Sequence, residues 1–222
     1  MQNLDVIIGA LNRVGYLHSK GLTFKATSVS HAVEHFIYLH AYGTPKEFLG
    51  ANFGFRNPVS EEFSIECIRA YGGELFSRSL KHDASTDCKM NFDFGHLYDP
   101  VQRWQIYLPQ HSASESAKIL MSTIEEKLFP VIRRVGTLQE LFELLLQDKH
   151  PCRWSYTNGA IRAAQLVSAA KQLGIEMSYL LMQLESRLEW ITLGLNQDDI
   201  SAARDFLESV IVHSEHSRST LH

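Results

Sequence analysis

The sequence has few cysteines, no long apolar run and no cluster of basic residues. Its three cysteines, Cys67, Cys88 and Cys152, are too far apart for a zinc signature, and their odd number is typical of reduced thiols. No run approaches the roughly 20 apolar residues that a membrane helix needs. The N-terminus also lacks the basic and apolar regions of a signal peptide. We therefore expect a soluble cytoplasmic protein that does not enter a membrane.

The charge balance argues against a nucleic-acid-binding protein. The 222 residues carry 21 Lys and Arg against 25 Asp and Glu, which gives a net charge of −4. A duplex-binding surface usually shows as a basic patch, and the sequence has none. The hydrophobic fraction of 45% and the charged fraction of 21% are those of an ordinary globular protein. The length suits one large domain, or a domain with a helical appendage.

Motifs of the common catalytic sites are missing as well. No nucleophile elbow, dinucleotide-binding fingerprint or P-loop occurs. Asp93-Phe94-Gly95 matches the magnesium-binding tripeptide of protein kinases, but the other kinase motifs are absent. The 11 histidines suggest no metal site, and His35 shares a strand face with apolar residues, which is typical of a core histidine. We expect no catalytic residue, no metal and no cofactor.

Alternation with period two marks the strands of the front half. In residues 48–56, Leu49, Ala51, Phe53 and Phe55 alternate with the small or polar residues Gly50, Asn52, Gly54 and Arg56. Residues 89–95 repeat the pattern, and 22–27, 32–42 and 103–108 are further candidate strands. Helices are predicted over 3–15 and after Asn57-Pro58. The pattern predicts an antiparallel sheet of four or five strands, covered by helices on one face.

From residue 112 onward the period changes to 3.6. Ser112 to Glu115 and Thr137 to Glu140 are capping boxes that open two helices. Three more helices follow over 159–173, 176–193 and 198–212, joined by short turns that favour a bundle. We therefore predict an α+β protein with two parts. Residues 1–150 form the α+β sheet domain, and residues 151–222 form a C-terminal helical segment packed on it.

Several short motifs resemble an uncharacterised bacterial family catalogued as a domain of unknown function. That family opens with L-x-x-x-G-F followed by G-x-x-F, and here Leu11 to Tyr16 precede Gly21 and Phe24. Asn52-Phe-Gly-Phe and a helix from Pro109 to Phe129-Pro130 match further parts of the pattern over residues 1–148. Tyr16 departs from the family's usual Phe. The resemblance implies a bacterial accessory protein of the kind sometimes encoded beside toxins, and it supplies no catalytic residues.

One face of the predicted sheet is the candidate binding site. If the apolar strand residues face the helices, the opposite face carries a polar and aromatic set: Glu34, Phe36, Tyr38, His40, Asn52, Arg56, Asn91 and Asp93. Tyr and Arg often anchor protein interfaces, so Tyr38, His40, Asn52, Arg56 and Asp93 are candidate partner-binding residues. The alternative is the ordinary solvated side of an antiparallel sheet. Trp190, predicted to point outward from a C-terminal helix, is a candidate contact for a partner or a homodimer.

These observations favour a non-enzymatic protein-binding factor. The leading hypothesis is a bacterial immunity or antitoxin-like protein that occludes the active site of a protein partner such as a toxin. The second hypothesis is an enzyme or small-ligand-binding protein that uses the polar sheet face, with Arg56, His40 and Asp93 as its candidate residues. The third is a structural or assembly subunit that uses the C-terminal helices.

Overall fold

The protein has an α+β fold, as predicted. The computed structural model describes residues 2–26, 32–43, 47–74, 90–98, 104–147, 159–186 and 197–216. Backbone contacts divide the chain into two compact units, of which unit 1 comprises residues 1–56 and 86–156, and unit 2 comprises residues 57–85 and 157–222. No helix among these described ranges is long and apolar enough to cross a membrane.

The division corrects the predicted boundary at residue 150. The chain leaves unit 1 at residue 57, returns at residue 86 and leaves again after residue 156. The reason lies at Asn57-Pro58, where the last long strand ends and a helix begins whose buried side includes Ser64, Cys67 and Ile68. That helix packs on the helix over 159–173. It therefore belongs to the helical unit, although it was assigned to the sheet domain.

Unit 1 contains a six-stranded antiparallel sheet among its described residues. The strands are β1 Tyr16–Lys20, β2 Thr23–Ala26, β3 Glu34–Tyr42, β4 Phe48–Arg56, β5 Met90–Asp93 and β6 Gln105–Tyr107. They follow the order β1-β2-β3-β4-β5, and β6 also pairs with β4. Since β3 pairs along the whole of β4, both β5 and β6 lie on the other edge of β4, one after the other.

The α-helices with described bounds are α1 Gln2–Arg13, α2 Pro58–Tyr71, α3 Ala113–Thr123, α4 Phe129–Ile132, α5 Leu138–Leu146, α6 Gly159–Leu173, α7 Met177–Glu185 and α8 Gln197–His216. A π-helical turn, Ile124–Leu128, joins α3 to α4. Pro130 has no N–H to donate and its ring crowds the preceding turn of an α-helix. The wider turn lies just before it, with the Phe129 N–H bonded to the Ile124 carbonyl.

An aromatic core covers the inner face of the sheet. The apolar residues that alternation predicts to face the helices are all less than 5% exposed: Val33, Ile37, Leu39, Leu49, Phe53, Phe55, Phe92 and Phe94. The rings of Phe53 and Phe92 stack at 5.0 Å, and Phe94 meets Trp104 at 5.4 Å. His35 is buried among them and its Nε2 lies 2.9 Å from the Val135 carbonyl oxygen. The prediction of a core histidine is confirmed.

Unit 2 is built around α6. This helix is buried on every side from Gly159 to Ala170, which its small side chains allow, and α2, α7 and α8 pack on it. Asn57 caps α2 by accepting the Ser60 N–H at 2.8 Å. The Gln172 amide donates to the Ser60 hydroxyl at 3.1 Å, which ties α6 to the start of α2. The helix predicted over 176–193 is described only as far as Glu185, so Trp190 lies outside the described residues.

Candidate functional site

The sheet register places the five candidate residues of the front half on one face. Residues directly opposite each other on neighbouring strands share a face. Glu34 pairs with Arg56, Tyr38 with Asn52, and Asn52 with Asp93. His40 pairs with Gly50 on the same face. We call this side of the sheet the outer face.

The middle of the outer face is buried. Phe36 is 2% exposed and Tyr38 is 7% exposed, and their rings stack with centroids 6.0 Å apart. The ordinary solvated side of a sheet would leave such side chains in water. The middle of the face therefore contributes to the stability of unit 1, and its contribution to a binding surface is confined to its two ends.

The carboxylate of Asp93 accepts hydrogen bonds from backbone N–H groups between two strands. Its carboxylate is buried, and Oδ1 accepts the Gly95 N–H at 2.7 Å and the Trp104 N–H at 2.9 Å. β5 ends at Asp93 and β6 begins at Gln105, so this oxygen joins the two segments that share one edge of β4. Asp93 also caps the 3₁₀ turn Phe94–Leu97. The kinase-like tripeptide is thus a turn motif, and Asp93 is not part of an accessible site.

A group of charged side chains lies at one end of the outer face. Lys25 Nζ is 2.5 Å from Glu34 Oε1, and Arg56 Nε is 3.6 Å from Glu34 Oε2. Lys25 also lies over the Phe36 ring at 5.9 Å from its centroid. We call Lys25, Glu34 and Arg56 the charged end. Because one carboxylate serves two cations and all three side chains are partly exposed, the charged end adds little to stability.

The opposite end of the outer face carries a row of four rings from three strands. His40 and Tyr42 of β3 stack at 5.6 Å, and Tyr42 stacks on Phe48 of β4 at 5.4 Å. The rings of Phe48 and Tyr107 of β6 meet at 5.2 Å with tilted planes. We call His40, Tyr42, Phe48 and Tyr107 the aromatic row. The Tyr42 hydroxyl donates to Gln105 Oε1 at 2.5 Å. His40 and Tyr42 are exposed, and the other two rings are half-buried.

The imidazole ring of His40 packs against Gly50 on the neighbouring strand. An ideal Cβ at Gly50 would lie 2.3 Å from His40 Nε2 and 2.7 Å from its Cε1, so only glycine leaves room for the ring in this position. The imidazole thus leans across the strand pair toward β4. This contact and the hydrogen bond from the Tyr42 hydroxyl to Gln105 hold two rings of the aromatic row in place.

No protein-family model, curated protein or solved structure matches this chain. The family resemblance noted above therefore remains a prediction. What the site can do must be argued from its own geometry.

The polar residues of the outer face do not converge on one point. Arg56 lies opposite Glu34, and His40 lies six residues further along β3. At about 3.4 Å per strand residue, these two positions are roughly 20 Å apart. No group of three or more His, Cys, Asp or Glu side chains suited to a metal ion occurs in the part of the chain that the structure describes. The arrangement is an extended surface, unlike the convergent groups of a catalytic site.

Four residues of the aromatic end were not among the candidates from sequence: Tyr42, Phe48, Gln105 and Tyr107. Tyr42 and Phe48 continue the alternation of their strands, so the same period-two argument would have found them. Gln105 and Tyr107 belong to β6, whose pairing with β4 has no mark in the sequence. They join the site only through that long-range contact.

Proposed function

We propose that this protein is a non-enzymatic protein-binding factor that uses the aromatic end of its outer face. The observation that carries the proposal is the preformed aromatic row, in which His40 and Tyr42 are exposed while Gly50 and Gln105 hold them in place. Tyr side chains are frequent anchors of protein interfaces because they offer a large contact area at a low entropic cost. A row that is fixed in advance also loses little freedom on binding.

The wide spacing of the polar residues favours an extended protein-binding surface rather than a site for a small ligand. An enzyme built on Arg56, His40 and Asp93 would need these groups within a few ångströms of one reacting atom. His40 and Arg56 are instead roughly 20 Å apart along β3, and the Asp93 carboxylate is occupied by two backbone N–H groups. A protein partner spans such distances easily, since a standard interface buries about 800 Å² on each side.

The partner we propose is a toxin, which would make the protein an immunity or antitoxin-like factor of the bacterial cytoplasm. It would act by steric occlusion of the partner's active site. The net charge of −4 supports a basic partner, because opposite charges accelerate association. The resemblance to a family sometimes encoded beside toxins supports the same proposal.

The test is capture of the partner from the native host, with identification by mass spectrometry and measurement of affinity for the purified product. We expect one product at equal stoichiometry, encoded beside this chain. Tyr42→Ala and Tyr107→Ala should each weaken binding about 30-fold, the loss of roughly 2 kcal/mol typical of an interface anchor.

Tyr179→Ala is the matched control, because Tyr179 is also an exposed tyrosine (47%, against 36% for Tyr42) but lies on α7 of unit 2. It should leave the affinity unchanged. Full affinity in correctly folded Tyr42→Ala and Tyr107→Ala variants would refute the proposal.

A second candidate function is self-assembly through the helical unit. Tyr179 and Met182 lie three residues apart on α7 and are 47% and 58% exposed. Residues at this spacing share one side of a helix, so they offer an apolar contact to a second copy. Concentration-dependent mass in light scattering, abolished by Met182→Lys, would support a homodimer. A constant monomer mass up to millimolar protein would exclude it.

A further inference from the structure

The strands β5 and β6 are two parts of one interrupted strand along the same edge of β4. β5 pairs with residues 52–55 of β4 and β6 pairs with residues 48–50, both in the antiparallel direction. The chain leaves this edge after Asp93 and returns to it at Gln105. The break therefore lies opposite Ala51, at the border between the buried middle of the outer face and the aromatic row.

The side chain of Asp93 bridges this break. Its Oδ1 accepts the Trp104 N–H at 2.9 Å and the Gly95 N–H at 2.7 Å. Trp104 directly precedes β6, so the first of these bonds fixes the point at which the strand begins. Because Asp93 is buried, the loss of its carboxylate would leave two backbone N–H groups without this acceptor, at a cost that is larger than at the surface.

β6 is a short strand that depends on contacts at its two ends. With three residues it is at the lower limit of strand length, so its ladder with β4 contains few hydrogen bonds. At its far end the Leu108 N–H donates to the Glu47 carbonyl oxygen at 2.7 Å. At its start the Trp104 ring donates to Thr123 Oγ1 at 3.2 Å. The backbone bond to Asp93 is the second contact at that start.

β6 supplies two residues of the aromatic end, Gln105 and Tyr107. Gln105 accepts the Tyr42 hydroxyl, and the Tyr107 ring meets Phe48 at 5.2 Å. Tyr42 and Phe48 belong to β3 and β4, which pair with each other along their whole length. A displacement of β6 would therefore remove the last ring of the aromatic row and leave the other rings on their strands.

We propose that Asp93 is a positioning residue for partner binding. It acts through β6, by holding Gln105 and Tyr107 in the aromatic row, and does not itself touch the partner. The role in binding rests on the proposed function, whereas the effect on the aromatic row can be tested in the free protein. Asp93, which the sequence predicts as a partner contact, thus has an indirect role at the same surface.

The test in the free protein compares Asp93→Ala with Asp93→Asn by NMR. An asparagine oxygen can still accept both N–H groups, whereas alanine accepts neither. In Asp93→Ala we expect the NOE between the Phe48 and Tyr107 rings to disappear. The Leu108 amide should exchange about tenfold faster, because β6 opens locally. The NOE between Tyr42 and Phe48 should remain, and Asp93→Asn should keep both NOEs.

Thr137→Ala is the matched control, because it removes a hydrogen bond from the cap of α5 in the same unit. It should keep both NOEs. If Asp93→Ala does not fold, Asp93→Ser replaces it, since a serine hydroxyl can still cap the turn at Gly95 but is one bond too short for the Trp104 N–H. A Phe48–Tyr107 NOE that persists in the folded variant, or the loss of both NOEs together, would overturn the proposal.

The partner identified by capture provides the second test. Tyr107→Ala should weaken binding about 30-fold in the wild-type chain. It should add almost nothing in an Asp93→Ala background, where β6 has already left the aromatic row, while Tyr42→Ala should still weaken binding there. Equal costs of Tyr107→Ala in both backgrounds would refute the positioning role. No effect of Tyr42→Ala and Tyr107→Ala in the wild-type chain would refute the proposed function, so the two failures are distinguishable.

Discussion

Gly50 and His40 form a pair in which the missing side chain of one residue makes room for the ring of the other. The ideal Cβ position of Gly50 falls within 2.9 Å of three ring atoms of His40. A methyl group there would displace the imidazole, because a side chain moves more easily than a strand. The glycine therefore determines where one end of the aromatic row lies.

The first prediction is that Gly50→Ala has opposite effects on the free energy of unfolding in the wild-type chain and in a His40→Ala variant. Gly50→Ala alone should destabilise the fold by up to about 1 kcal/mol, because the methyl group displaces His40 from its contact with Tyr42. In a His40→Ala background the clash is gone, and the same change should stabilise the fold by about 0.5 kcal/mol, since alanine is less flexible than glycine in a strand. Urea unfolding of the four proteins measures this cycle. Equal effects in both backgrounds would show that the ring and the glycine do not interact.

His35 gives the second prediction, which concerns pH. Burial lowers the pKa of this imidazole below its ordinary value of 6.5, and the hydrogen bond to Val135 offsets only part of that effect. The unfolded chain therefore takes up a proton near pH 6.5, while the folded chain resists protonation until a lower pH. Stability that is fully present above pH 6.5 should be lost as the pH falls below it.

Urea unfolding of the wild-type chain between pH 8 and pH 5 tests this dependence. His35→Gln should lower stability at pH 8 but flatten the slope below pH 6.5. A slope unchanged by His35→Gln would assign the pH dependence to other groups.

At the scale of elements, two helices start with a reciprocal cap. Ser112 accepts the Glu115 N–H while the Glu115 carboxylate accepts the Ser112 N–H, and Thr137 and Glu140 repeat the arrangement before α5. The bonds to Ser112 lower the pKa of Glu115, and those to Thr137 and Gly136 lower the pKa of Glu140. The two carboxylates stabilise the helix starts as anions.

The third prediction concerns the cap of α5. Thr137→Ala removes the acceptor for the Glu140 N–H and should cost about 1 kcal/mol of unfolding free energy. Thr137→Ser keeps the hydroxyl and should cost much less. Chemical denaturation at neutral pH measures both variants, and a serine variant as unstable as the alanine variant would rule out the cap as the cause.

The sequence predicted elements well where one periodicity was strong. The alternation in β4 and the capping boxes of α3 and α5 placed these elements correctly, because burial and capping act on neighbouring residues. β1 was missed. Its residues after Tyr16 are all exposed, with Leu17 at 53%, so the strand has no alternation to detect. It exists because β2 offers it a partner for backbone hydrogen bonds.

The candidate site could be predicted only in part for a related reason. The face shared by His40 and Arg56 follows from local alternation, and the register confirms it. The accessibility of each residue does not follow from alternation. Tyr38 and Asp93 belong to the same face but are buried, and the partners of Asp93 include the backbone of Trp104, which no local pattern brings to it.

At the scale of the whole molecule, each of the two units is formed by two separate stretches of the chain. α2 comes between two strands of unit 1 in the sequence but belongs to unit 2. Cys67 on α2 is fully buried, and burial raises the pKa of its thiol to about 12. A thiol of this kind reports whether α2 is covered, because a buried and protonated cysteine does not react.

The fourth prediction uses this thiol in a chain where Cys88 and Cys152 are replaced by serine. The full-length protein should resist a thiol reagent until it is unfolded in urea. A chain that ends at residue 156 lacks α6 and α8, which pack on α2, so Cys67 should react at least tenfold faster. Equal protection in both chains would show that α6 and α8 are not what covers Cys67.

The order of the segments has a consequence for synthesis on the ribosome. α2 is translated roughly 100 residues before α6 is complete. At 5 to 20 residues per second, this delay lasts about 5 to 20 s. During that time the buried side of α2 has no helix to cover it, while the strands on both sides of it can already pair. The buried side of α2 is therefore exposed during synthesis and open to aggregation. We expect a chaperone that binds the nascent chain to bind this helix.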